Sequence, residues 1–171
     1  MKRKGILIVV SGFSGTGKGT LMKELVQSYD DYALSVSMTT RSPRPGEEEG
    51  KEYFFVSREE FVSQIKNDGL IEYASYCEHY YGTPREYVEA HLEAGKDVIL
   101  EIEIQGALKV KEKYPTALLL FVMPPNAAEL KRRLEKRGTE SPEVIRMRLE
   151  RALEEAKGIE EYDYIIIKDN L

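Results

Sequence analysis

Apolar residues along the chain follow two rhythms. Continuous runs at 6–10, 98–100, 118–122 and Tyr164–Ile167 read as strands buried on both faces. The segments 84–94, Ala127–Lys136 and 143–157 instead carry apolar positions at helical spacing among charged ones, and another such pattern opens over 21–26. Buried runs alternating with helices predict an α/β fold with a parallel sheet core flanked by helices. Between the first helix and Gly82 the texture changes. Residues 35–40, 53–56 and 71–76 read as short, partly alternating strands, and 59–67 as a helix, which predicts a mixed α/β insertion and not a further βαβ unit. The Pro and Gly residues of 43–50 make that segment a loop. There is no internal repeat and no low-complexity tract.

The junction between the first strand and the first helix carries chemistry. Gly12-Phe13-Ser14-Gly15-Thr16-Gly17-Lys18-Gly19-Thr20 follows an apolar run and precedes a helical pattern. Glycines there let backbone N–H groups converge on phosphate oxygens at the positive end of the helix, and Lys18 adds a mobile charge for the outer phosphates. The loop therefore reads as a site for a nucleoside triphosphate. The pattern G-x-x-x-x-G-K-[ST] holds through Lys18 but then meets Gly19, with a hydroxyl one place later at Thr20, which leaves magnesium ligation by that hydroxyl open. The glycines do not give the G-x-G-x-x-G spacing of a dinucleotide site, which would also leave the lysine unexplained.

Composition narrows the partners. At 171 residues the chain can bury roughly two thirds of its unfolded surface as one core with small insertions. Its formal net charge of -5 argues against general nucleic-acid binding, so the basic clusters at Arg41-Ser42-Pro43-Arg44 and 131–148 need a local explanation. Cys77 is the single cysteine, which excludes a disulfide framework or a cysteine zinc site and suits a reducing cytoplasm. The run after the basic Met1-Lys2-Arg3-Lys4 is too short for a signal peptide, and no run approaches membrane-spanning length. A cytoplasmic protein with neither a membrane nor a nucleic-acid partner is expected. His79 and His91 lack companions at metal-ligand spacing and read as structural or surface residues.

Motifs in the insertion and beyond make the reading specific. Ser37-Met38-Thr39-Thr40-Arg41-Ser42-Pro43-Arg44-Pro45-Gly46-Glu47, Gly50-Lys51-Glu52-Tyr53-Phe54-Phe55, Tyr80-Tyr81-Gly82-Thr83, Gln105-Gly106 and Arg137-Gly138-Thr139-Glu140 follow in order. With them the chain resembles the guanylate kinases over nearly its whole length. The resemblance implies a P-loop nucleotide kinase fold with a CORE domain (1–34, 84–124 and 146–171), an inserted GMP-binding domain (35–83) and a small LID (125–145). It implies ATP-dependent phosphorylation of GMP, and of dGMP, with Mg²⁺.

The resemblance also distributes roles. ATP falls to the loop from Gly12 to Thr20 with Arg133 and Arg137, which stand at i and i+4 and so share a helix face. GMP falls to Ser37, Arg41, Arg44, Tyr53, Glu72, Tyr81, Thr83 and Glu103, and transfer to Lys18, Arg41, Arg137 and Arg148. Magnesium, directly or through water, falls to Thr20 and Glu101. Two of these roles have a simple chemical reason. Guanine presents N1–H and N2–H side by side, so one carboxylate can accept both, and planar arginine forks suit a phosphate dianion. Taken alone, Glu72 reads as a solvated strand-face charge and the run 131–137 as a salt-bridged solvent face; the resemblance reverses the first reading. Glu101 and Glu103 stand where the family often has aspartate, and Lys168 where it often has an asparagine near the adenine. Two other classes compete: a guanylate-kinase-like module that binds phosphopeptides without catalysis, and another P-loop kinase of small molecules. The intact Lys18 and its glycines disfavour the first, and the GMP-site residues disfavour the second.

Overall fold

The computed structural model describes residues 3–76, 78–136 and 141–169. Five strands form a wholly parallel sheet in the order β2 (Tyr32–Leu34), β7 (Asp97–Glu101), β1 (Leu7–Gly12), β8 (Leu118–Met123) and β9 (Tyr164–Ile167). Strand periodicity divides the apolar residues between two faces. Leu7, Val9, Leu100, Leu119 and Phe121 pack on one side with Val88 and Leu92 of α3 (Arg85–Glu93), Ala107 and Val110 of α4 (Ile104–Lys113), Leu130 and Leu134 of α5 (Ala127–Lys136), and Ala152 of α6 (Pro142–Ala156). Val10, Ile99 and Val122 face the other way, onto Met22 and Leu25 of α1 (Lys18–Ser28). Full burial of a side chain such as Leu119 or Val9 contributes about 2 kcal/mol.

The insertion forms a second sheet in the order β4 (Tyr53–Phe55), β3 (Ser37–Thr39), β6 (His79–Pro84) and β5 (Leu70–Tyr76). β3 and β4 run parallel and the other pairings are antiparallel, so the sheet is mixed as its sequence texture predicts. Helix α2 (Arg58–Lys66) starts at a capping box: Ser57 Oγ accepts the Glu60 N–H and the Glu60 carboxylate accepts the Ser57 N–H. That fixes the helix so that Phe61 is buried and stacks on Tyr80, ring centroids 5.2 Å apart.

Three elements escape the sequence pattern: β2, β6 and α4. The first has only three residues. β6 contains Gly82 and ends on Pro84, both poor strand signals. α4 opens only two residues after β7 and carries Gly106 in its first turn, which hides the helical spacing. One expectation needs correction. The run Tyr164–Ile167 is a strand, but among the described residues it pairs with β8 alone at the sheet edge, and Tyr164, Ile165 and Ile167 are each more than half exposed. An apolar run by itself does not distinguish a covered strand from an edge.

Candidate active site

The phosphate loop begins where β1 meets β8. Gly12 has φ +153°, and a Cβ there would fall 2.0 Å from the Val122 carbonyl oxygen, so only glycine fits. Beyond it the buried Thr16 donates both its N–H and its hydroxyl to the Phe13 carbonyl, at 3.3 and 2.9 Å. Gly17, in the left-handed region at φ 76°, is the N-cap of α1. The first helical hydrogen bond runs from Leu21 N–H to Gly17 O, so the amides of Lys18, Gly19 and Thr20 have no acceptor within the helix. Those donors and the helix dipole favour an anion at the loop. Lys18 Nζ lies over the loop and donates to the carbonyls of Gly12 and Phe13 at 2.7 and 3.2 Å.

Parallel pairing aligns Val10 with Glu101 and so sets an acid beside the loop. Glu101 keeps exposed surface, yet protein atoms crowd its carboxyl enough to raise its pKa by desolvation, against the pull of Lys18 and Lys23. The α1 residue directed at this carboxylate is Gly19, whose missing Cβ would lie 3.5 Å from Glu101 Oε2. Thr20 is exposed one residue further round the helix, about 100° away.

Helices α5 and α6 carry further arginines, one of which touches the loop. Arg148 of α6 donates to Ser14 Oγ. Arg133 is only 4 % exposed: its Nε donates to Glu129 at 2.6 Å and its Nη2 to the carbonyls of Lys168 and Asp169 at 2.9 and 2.8 Å. Its Nη1 is buried with no partner among the described residues. Arg137 lies outside the described residues, as do Gly138, Thr139 and Glu140.

Across the cleft, strand register assembles the second cluster. β3 sets Ser37 beside Tyr53 and Thr39 beside Tyr81, which brings the two tyrosine rings edge to face at 5.9 Å. The Arg41 guanidinium lies over the Tyr53 ring at 5.3 Å and binds Glu47 through two 2.9 Å hydrogen bonds. That fork holds the Glu47 carboxyl below its usual pKa, with help from the Arg44 backbone N–H. Arg44 itself is exposed. Burial raises the Tyr53 phenol above its ordinary pKa, which keeps it a donor at neutral pH.

Glu72 of β5 is 7 % exposed, not a solvated strand-face charge, and its Oε1 accepts the hydroxyl of the fully buried Thr83 at 2.7 Å. Desolvation raises its pKa, opposed by the Thr83 bond and by Lys109 and Lys113. Glu103, at the N-cap of α4, pairs with Arg151 of α6, which also holds Glu155 at 2.9 Å. Two partners have no role in the sequence reading, Glu47 on Arg41 and Arg151 on Glu103, and Lys168, placed there near the adenine, donates through its Nζ to Gly17 O at 3.1 Å. Only Glu47 had a local signal, three residues beyond Arg44 in a tight turn.

The guanylate kinase family profile matches residues 4–171. The chain belongs to the guanylate kinase family. It is 52 % identical over 171 residues to the guanylate kinase of Caldanaerobacter subterraneus subsp. tengcongensis, covering all of this chain and 83 % of that one. It is 54 % identical over 172 residues to the guanylate kinase of Streptococcus thermophilus, covering 82 % of that protein. The crystal structure of guanylate kinase from Anaplasma phagocytophilum superposes with a TM-score of 0.77 at 35 % identity, over 99 % of this chain and 79 % of that chain. As a guanylate kinase family member, the chain is a phosphotransferase with an α/β core.

Proposed function

We propose that this guanylate kinase family member carries the γ-phosphoryl group of ATP to GMP and dGMP, with ATP on the phosphate loop and the acceptor on the insertion. The observation that carries the acceptor's identity is Glu72, a buried carboxylate fixed by Thr83, to which a base must bring donors to compensate the desolvation. Guanine brings two. Adenine, lacking N1–H, would set an acceptor against the carboxylate.

In the reaction an oxygen of the acceptor phosphate bonds to the γ-phosphorus while the bond from that phosphorus to the β,γ-bridging oxygen breaks, and ADP leaves. The attacking phosphate is already anionic, so no general base is needed. Catalysis then consists of positioning and of neutralising charge on the transferring group. Lys18 releases the carbonyls of Gly12 and Phe13 and turns to the outer phosphates. Arg148 reaches the same loop. Arg133, whose buried Nη1 has no partner among the described residues, is proposed for ATP, and Arg137 for the transferring group, both on the family pattern. Arg41, Arg44, Tyr53 and Tyr81 receive the GMP phosphate, which competes with Glu47 for the Arg41 fork. Ser37, Thr83 and Glu103 complete the acceptor site.

Oxygen donors beside a triphosphate loop fit a hard cation held by one or two protein ligands plus substrate phosphates. The Cβ-free face of Gly19 leaves room over Glu101 for Mg²⁺ or its water, and Thr20, the next residue in sequence, carries the hydroxyl proposed for it. Magnesium, when bound, neutralises phosphate charge. CORE, GMP-binding and LID units at the boundaries given above, working in the cytoplasm, complete the reading. Coupled measurement of ADP formation with GMP, dGMP, AMP, UMP or no acceptor tests it. Turnover with the two guanine nucleotides alone is expected. Equal turnover with AMP, or ADP release without acceptor, overturns it.

A further inference from the structure

Gly106 stands in the first turn of α4, where its own backbone conformation does not call for glycine: it is helical, and alanine is favoured there by about 1 kcal/mol. Its surroundings give the reason for glycine. A Cβ at this position would lie 2.9 Å from Glu72 Oε2, 3.4 Å from Glu72 Cδ and 3.2 Å from Ile102 Cδ1. No main-chain atom outside the helix stands among these nearest neighbours, so the space left by the missing methyl is bounded chiefly by the carboxylate. Glu72 is thus held from two sides: Oε1 receives the Thr83 hydroxyl, and Oε2 rests against α4. The positive end of that helix also favours a negative charge there.

We propose that Gly106 is a positioning residue for guanine recognition: its missing side chain is the seat of Glu72 Oε2, and α4 sets where the carboxylate presents itself to N1–H and N2–H. The inference rests on the assignment of Glu72 to guanine. A methyl group at position 106 displaces the far end of a flexible side chain and leaves the backbone in place. Gly106→Ala therefore folds, keeps its ATP site, and misaligns the base reader.

The test compares wild type, G106A, E72Q, I102V and the double variant I102V/G106A. Steady-state constants are measured for ATP, for GMP and for inosine monophosphate, which lacks the 2-amino group, together with thermal melts. The double variant removes the Ile102 Cδ1 contact and keeps the two to Glu72. G106A is expected to lower kcat/KM for GMP by roughly tenfold, the scale of one charge-assisted hydrogen bond, to shrink the preference for GMP over inosine monophosphate, and to leave the KM for ATP within about twofold. I102V/G106A should behave as G106A does, and I102V alone as wild type. If E72Q spares the preference for GMP, the assignment of Glu72 fails. If E72Q abolishes that preference while G106A keeps it, the role of Gly106 fails alone. Recovery of GMP preference in I102V/G106A, equal loss toward ATP and GMP, or failure of both alanine variants to fold would each overturn the inference, because each places the constraint elsewhere than at the carboxylate.

Discussion

Lys18 and Glu72 are charged residues with opposite relations to their surroundings. Lys18 Nζ donates to two carbonyls of its own loop, which it exchanges for phosphate oxygens in the proposed reaction. Lys18→Ala should lower kcat by at least roughly a hundredfold, the scale for removing one preorganised electrostatic stabiliser, while calorimetry finds GMP affinity little changed. Glu72 is held where a carboxylate costs most, and its pKa is raised above the ordinary 4.5 by desolvation. In the proposed role the ionised form accepts from guanine, so GMP affinity should be full above the raised pKa and decline as pH falls through it. Glu72→Gln should flatten that part of the pH dependence and weaken GMP far more than ATP, since an amide sets a donor against a donor edge. Stability has the opposite sign. The native state binds this proton more readily than the unfolded chain, so the ionised carboxylate costs stability above the folded pKa, and the cost disappears as pH falls below the unfolded value. Glu72→Gln should therefore melt no lower than wild type at neutral pH, measured by calorimetry with no nucleotide present. The side-chain types were legible in sequence at both positions. The burial of Glu72 was not, because it depends on β6 and α4, neither of which shows a clear local pattern.

Helix α5 shows how an element changes the meaning of its residues. Charges at 129, 131, 133 and 135 read along the chain as a solvated face, yet the helix turns Arg133 inward to tie its last turn to the carbonyls that follow β9. Glu129 holds this arrangement together. Its backbone N–H is capped by Asn126, and its carboxylate takes Arg132 and Arg133 at once, which lowers its pKa to about 2. A depressed carboxylate contributes stability above its unfolded pKa and loses it as pH falls toward the folded one. Wild type should therefore melt higher than Glu129→Gln above the ordinary value of 4.5, and the gap should close between there and about pH 2. Melting curves across that interval check the sign; a gap that widens in acid contradicts it. The sequence pattern recovers α5 with its observed bounds, because helical spacing is local. The carbonyl partners of Arg133 come from the far end of the chain.

At the scale of the whole molecule, the groups assigned to the two substrates sit on separate pieces: Lys18 on the parallel core, Arg41 and Arg44 on the second sheet, Arg133 and Arg148 on α5 and α6. Transfer requires them to converge and to exclude water from ATP. Labels on the core and on the insertion should approach each other when GMP binds, and the α5–α6 region should follow fully only with the triphosphate present. Distances unchanged across apo, GMP, ATP-analogue and doubly bound samples would rule out closure. In the parallel sheet Phe121 packs edge to face on Phe13 of the loop and on Tyr162. Phe121→Ala should cost about 3–5 kcal/mol in denaturant unfolding and loosen the phosphate loop with it. The α/β core, the mixed insertion and the glycine-rich loop ending in Lys18 were legible in the sequence. Each of these is written in contiguous residues, either as a hydrophobic period or as a motif whose glycines and cations must be adjacent to act. Tertiary structure alone decided that Glu72 is buried against Thr83 and Gly106, that Glu47 occupies Arg41, that Arg133 is interior and that β9 is an exposed edge. Those outcomes depend on strand order and helix facing, which join residues far apart in the chain, and no local pattern of side chains encodes them.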